Sequence, residues 1–162
     1  MNKKKGIGRA LILTMMFLIT MLLGSGKNTA VPGMQKTYCL EEMNIPTGEE
    51  VLQLINEQRN SAGLPPFSWS MRLAVDAEVR AEEASRLFSH SRPGGQAWYE
   101  TDRHYMYAEN LAKMFTNKHE LVHAGLVTPE HFRILTGPFK YAGIACRVGN
   151  DGVCCWAMEM GY

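Results

Sequence analysis

Hydrophobic and polar positions fall into three regimes along this chain, and each predicts a different kind of element. Ala10 to Gly24 is an almost uninterrupted apolar run of about fifteen residues, the size of a signal h-region and slightly short for a full membrane span. From Thr47 the spacing turns helical. Thr47-x-x-Glu50 is a capping box, and Val51, Leu54, Ile55 and Gln58 follow at helical intervals, which predicts a helix over about 48–61. Leu64-Pro65-Pro66-Phe67-Ser68-Trp69 is too proline-rich for a helix and reads as a turn packed onto the domain. Ser70 caps a second helix with Leu73, Ala77, Ala81, Ala84 and Phe88 on one face, ending near His90 because Pro93-Gly94-Gly95 cannot continue it. Gln96 to Tyr107 has no clear period, Glu109 to Met114 reads as a short strand, and Asn117-x-x-Glu120 opens a third helix through about Val127. Thr128-Pro129 caps and starts a short fourth turn around His131 to Leu135.

The last regime is a β-hairpin, Tyr141–Val148 and Val153–Met160, around Gly149-Asn150-Asp151-Gly152. A two-residue turn at Asn150-Asp151 sets Val148 opposite Val153, Arg147 opposite Cys154 and Cys146 opposite Cys155. Helices first and strands last indicate an α+β fold, an antiparallel sheet covered by helices. No repeat or low-complexity segment interrupts it.

Charge changes the picture at the N-terminus. Lys3, Lys4, Lys5 and Arg9 precede the apolar run, so residues 1–26 read as a signal peptide or an uncleaved anchor, 27–46 as a lead-in and 47–162 as the domain. The chain is expected to be secreted, with anchoring through residues 10–24 as the alternative. Without those four cations, 13 Lys and Arg stand against 16 acids, which disfavours a nucleic-acid partner. Cys39, Cys146, Cys154 and Cys155 would meet an oxidising compartment. The hairpin register allows a Cys146–Cys155 bridge with Cys39 and Cys154 left over, against four ordinary thiols. No Cys-x-x-Cys supports a zinc ribbon.

Several polar segments carry candidate chemistry. Asn56, Arg59, Gly63-Leu64, Pro66 and Trp69 come first, then Phe88-Ser89-His90-Ser91-Arg92-Pro93, Ala108-Glu109-Asn110-Leu111-Ala112, Thr128-Pro129-Glu130-His131 and Trp156-Ala157-Met158-Glu159-Met160-Gly161. In this order the sequence resembles the bacterial branch of the CAP superfamily, the SCP-like domains of cysteine-rich secretory proteins, antigen 5 and pathogenesis-related proteins. The resemblance covers about residues 49 to 162 and implies a three-layer α-β-α sandwich with a central cleft. It implies that His90, Glu109 and His131 line that cleft, with His90 and His131 as candidate ligands of zinc or another divalent metal, although no cofactor is required. The chain departs from the family pattern at Ala108, Gly125, Thr128 and Glu130, and the second cleft glutamate has no counterpart.

Function is therefore expected to be that of an extracellular binding or interaction module for a lipid, sterol, peptide or cell-wall component, without a catalytic assignment. Trp98, Tyr99, Tyr105, Tyr107 and Phe132 are candidate rim aromatics, while Trp69 and Trp156 are expected in the core. The alternative is a zinc-dependent hydrolase or protease using that cleft or His119-Glu120-Leu121-Val122-His123, which matches His-Glu-x-x-His with Glu120 as base. That motif sits at a helix start, and no third ligand follows at the spacing such enzymes use.

Overall fold

Thr47 starts the first helix as its spacing to Glu50 predicts. Its hydroxyl accepts from the Glu50 N–H at 3.2 Å, and the Glu50 carboxylate accepts from the Thr47 N–H at 2.8 Å. The computed structural model describes Leu40, Glu41 and residues 43–162; the apolar run and Cys39 lie outside the described residues. Helix α1 (Gly48–Ser61) buries Val51, Leu52, Ile55 and Arg59. Leu40, Met43 and Ile45 pack against the same core, so the domain's apolar interior begins before the first helix.

Arg59 and Asn56 hold the proline-rich turn. The Asn56 side chain donates to the Phe67 carbonyl at 2.9 Å and accepts from its N–H at 2.8 Å. The Arg59 guanidinium lies 3.7 Å from the Phe67 ring centroid and donates to the carbonyls of Pro65, Leu135 and Gly137. A buried cation thus satisfies three carbonyl acceptors, two of them buried, and ties the turn to a distant helix end. Beyond the turn, Ser68–Trp69 form a short strand, β1, parallel to the first arm of the hairpin.

Helix α2 (Met71–Arg86) is capped by the Ser70 hydroxyl. It ends at Arg86 rather than near His90, with Leu87 already extended. The Arg80 side chain takes the Ser89 carbonyl at 2.9 Å, a contact that folds the following segment back along the helix. Ala77, Ala81 and Ala84 are buried against the sheet. The approach is close: a side chain on Gly143 would stand 2.1 Å from the Ala74 backbone nitrogen.

Strands β2 (Ala108–Lys113), β3 (Tyr141–Val148) and β4 (Cys154–Gly161) complete a sheet in the order β1-β3-β4-β2, antiparallel except for β1. Helix α2 covers one face. Helices α1, α3 (Lys118–Val127) and α4 (Pro129–Leu135) cover the other, around Ile144, Trp156, Met158 and Met160. This is the α+β, three-layer arrangement expected. Asn117 caps α3 as predicted. Pro129 opens α4, but the Thr128 hydroxyl donates back to the Ala124 carbonyl instead of capping it.

The hairpin differs from expectation by one residue. Val148 pairs with Cys154, Arg147 with Cys155 and Cys146 with Trp156. Neither Asn150 nor Asp151 takes a positive φ; Gly152 does, at 80°. The turn therefore closes from Gly149 N–H to the Val153 carbonyl at 2.9 Å, with an extra left-handed residue that shifts the ladder. A one-residue shift sends side chains to opposite faces, so Cys146 and Cys155 do not meet. Cys146, Cys154 and Cys155 are buried free thiols, and burial pushes Cys146 and Cys155 above the ordinary thiol value. Among the described residues no helix is long and apolar enough to cross a membrane.

Candidate functional site

Strand β2 divides the site, because successive side chains of a strand point to opposite faces. Glu109 points toward α2 and Asn110 toward the other three helices. Each sits at the edge of a different cavity.

On the α2 side, the segment after that helix folds into a turn in which Arg92 N–H donates to the Gln96 carbonyl and Ser91 bridges Ala97. This places the His90 ring over Glu109, with Nδ1 2.7 Å from Glu109 Oε1. Glu109 is fully buried, whereas the His90 side chain remains 58% exposed. Beneath them the wholly buried Arg80 donates from Nε to Glu109 Oε2 at 2.6 Å and from a terminal nitrogen to Oε1 at 3.2 Å. Its other terminal nitrogen reaches Glu83 at 2.6 Å, and Glu83 is also gripped by Arg92. Burial would raise the Glu83 pKa, but hydrogen bonds from Arg92 and Arg80 overcome it and hold the carboxyl below its ordinary value. Arg92, Glu83, Arg80 and Glu109 thus form a chain alternating in sign, with the His90 ring hydrogen-bonded at its end. His90 and Glu109 border a cavity of about 490 Å³ that also takes in Trp98, Tyr107, Arg133 and Phe139.

On the opposite face, α1, α3, α4 and the sheet enclose a cavity of about 220 Å³. Its walls are almost entirely apolar: Val51, Ile55, Leu121, Val122, Leu135 and Met158 are representative. Three polar residues interrupt them, Asn110, His131 and Thr128, the last with its hydroxyl donated to the Ala124 carbonyl. Asn110 is buried, and its Nδ2 donates to the His131 carbonyl at 3.5 Å, while its Oδ1 has no hydrogen-bond partner among the described residues. The His131 ring lines the same cavity. Burial, and then the nearby His90, depress its pKa, with Glu130 opposing, so the imidazole is neutral at neutral pH.

A scan against protein-family models matches residues 52–158 to the cysteine-rich secretory protein family, CAP. The chain belongs to this family. Among solved structures it is similar to an outer surface protein of Borrelia burgdorferi, with 18% identity, TM-score 0.65, and coverage of 79% of this chain and 98% of that one. It is also similar to an extracellular SCP-domain protein of Bacillus anthracis, at 17% identity and TM-score 0.59, covering 70% of this chain and 40% of that one. A cysteine-rich secretory protein of Staphylococcus aureus follows at 20% identity and TM-score 0.53, covering 71% and 38%. No curated protein matches the chain in sequence.

Within this CAP domain the three expected cleft residues are distributed unevenly. His90 and Glu109 are in direct contact; His131 stands within electrostatic reach of His90 but faces the apolar cavity. Both Glu109 oxygens and His90 Nδ1 are engaged. Among the described residues no three His, Cys, Asp or Glu side chains are gathered to hold a metal ion, so the donor set as arranged does not offer an ion three ligands. His119, Glu120 and His123 are exposed on α3. Of the rim aromatics, Trp98 and Tyr107 border the His90 cavity, Tyr99 packs edge-on against Trp98, and Tyr105 lies under the Arg72 guanidinium at 3.5 Å. Phe132 is exposed beside a separate hollow near Arg59. Trp156 is buried and donates to the Phe115 carbonyl at 2.8 Å.

Arg80, Glu83 and the cavity role of Asn110 were not singled out from sequence. A signal for Arg80 existed: it falls on the helical stripe of Ala77, Ala81 and Ala84, where a solvated arginine has no place.

Proposed function

We propose that this CAP domain acts outside the cell as a binding module whose ligand occupies the apolar cavity between α1, α3, α4 and the sheet. The observation that carries the reading is that cavity of about 220 Å³ with one buried, unpartnered acceptor, Asn110 Oδ1. Apolar walls with a few placed polar groups are the ordinary form of a small-molecule site. The volume exceeds the roughly 150 Å³ void that admits benzene, which suits a short alkyl chain or the end of a lipid tail. Bound there, a ligand loses apolar surface to Val51, Ile55, Val122 and Met158, and a donor on its head satisfies Asn110. The extracellular setting is supported by the N-terminal apolar run and by similarity to proteins described as outer-surface and extracellular.

The test is displacement of 1-aminoanthracene fluorescence by 1-decanol from the wild type and from Ala124→Trp, which places an indole in the cavity wall. Saturable binding by the wild type and its loss in the variant support the reading. Equal binding by both, or none by the wild type, overturns it.

A further inference from the structure

Glu159 is the one acid in the otherwise apolar β4, and its environment sets it apart from every other carboxyl described. It is 0% exposed, and neither carboxyl oxygen has a hydrogen-bond partner among the described residues. The sheet register places it directly opposite Glu109 on one side and Gly143 on the other. From α2, Arg80 and Asp76 face it; β3 adds no titratable group at this register. Arg80 is already committed to Glu109, Glu83 and the Ser89 carbonyl. Across Arg92, Glu83, Arg80 and Glu109 two positive and two negative charges cancel, so an ionised Glu159 would add an uncompensated anion to a dry interior, next to another carboxylate.

We infer that Glu159 is a neutral carboxylic acid whose proton is directed at Glu109, making Glu159 a positioning residue that holds the Glu109 carboxyl in place between Arg80 and His90. Two adjacent carboxyls in one site cannot both ionise without large cost. The direction of its pKa agrees: burial first, then the Glu109 charge, raise it well above the ordinary carboxylate value, with Arg80 opposing and Asp76 adding to the rise. Asp76, being an acid, brings no compensating charge; burial and then Asp102 raise its own pKa, with Arg72 opposing. The sign for stability follows. The folded protein holds a proton that the unfolded chain gives up near its ordinary value, so the contribution is complete at acid pH and is lost as pH rises through the folded pKa.

Side-chain carboxyl ¹³C NMR of the wild-type protein reads the protonation state without a variant. The Glu159 carbon is expected to keep a carboxylic-acid shift at pH 7; a change to the carboxylate shift with a midpoint in the ordinary glutamate range overturns the inference. Glu159→Gln, which keeps the shape and a donor, is expected to fold, and the ratio of its folding constant to that of the wild type should rise about tenfold per pH unit above about pH 5 until Glu159 ionises. A pH-independent ratio contradicts it. Positioning is read separately by ¹⁵N NMR of the His90 ring: the Nδ1-protonated signature should persist in Glu159→Gln and be lost in Glu159→Leu. Its equal persistence in both variants would reduce Glu159 to a space-filling residue and overturn the assignment.

Discussion

Glu109 and Asn110 are neighbours in the chain yet belong to two sites of opposite physical character. On the α2 side the sheet meets a hydrogen-bonded train from Arg92 through Glu83 and Arg80 to Glu109 and His90, with the buried Glu159 and one oxygen of Asp76 beside it left without partners. On the other side it meets an apolar void with an acceptor left unmatched. A matched network has spent its hydrogen-bonding capacity on the fold itself, whereas an unmatched polar atom in an apolar wall still has capacity for a ligand. The pleat of one strand therefore separates a charged, hydrogen-bonded network from the apolar cavity proposed above as the ligand site.

The comparison breaks most severely at Arg80. Replacing it with Met leaves Glu109 and Glu83 without their shared cation, and breaking a buried pair in this way costs about 3–5 kcal/mol. Urea unfolding is expected to show that loss, with a midpoint far below that of the wild type. Next comes Leu135→Ala, on the cavity side, where enlarging an apolar void costs about 2–5 kcal/mol, with the lower half of that range expected because the site is already hollow. Its denaturation midpoint should rise on adding 1-decanol by more than that of the wild type.

Smaller effects sharpen the contrast. Because burial holds His131 below its ordinary pKa, its neutral form contributes stability above about pH 6.5, and that contribution is lost as pH falls through the folded pKa. His131→Phe should flatten this acid-side loss, by less than about 1 kcal/mol given its partial exposure. The smallest expected change is for His119→Ala with His123→Ala, within about 0.5 kcal/mol in thermal unfolding and with no change in decanol affinity, because these are exposed positions.

Local signals were legible in the sequence. The Thr47–Glu50 box, Ser70 and Asn117 each fix a helix start through contacts three residues long or fewer, and such contacts need no tertiary information. The hairpin register was not legible, since it turns on which residue adopts a positive φ: Gly152 took it, and one residue of slip moved Cys155 to the α2 face. The His90–Glu109 contact was anticipated through resemblance to the CAP pattern. Its partner Arg80 lies on the buried stripe of Ala77, Ala81 and Ala84, which signals burial, but the acid it meets is 29 residues away and no local pattern names it. That His131 also lines the apolar cavity was likewise invisible, because motif order carries no information about which cavity a residue borders.

The most direct test of the division is a methyl and aromatic NMR titration of the wild-type protein with 1-decanol. The account predicts shift changes at Val51, Ile55, Leu121, Val122 and Ile144, with His90, Trp98 and Tyr107 unmoved. Changes centred on His90, Trp98 and Tyr107, with the apolar cavity silent, would contradict it.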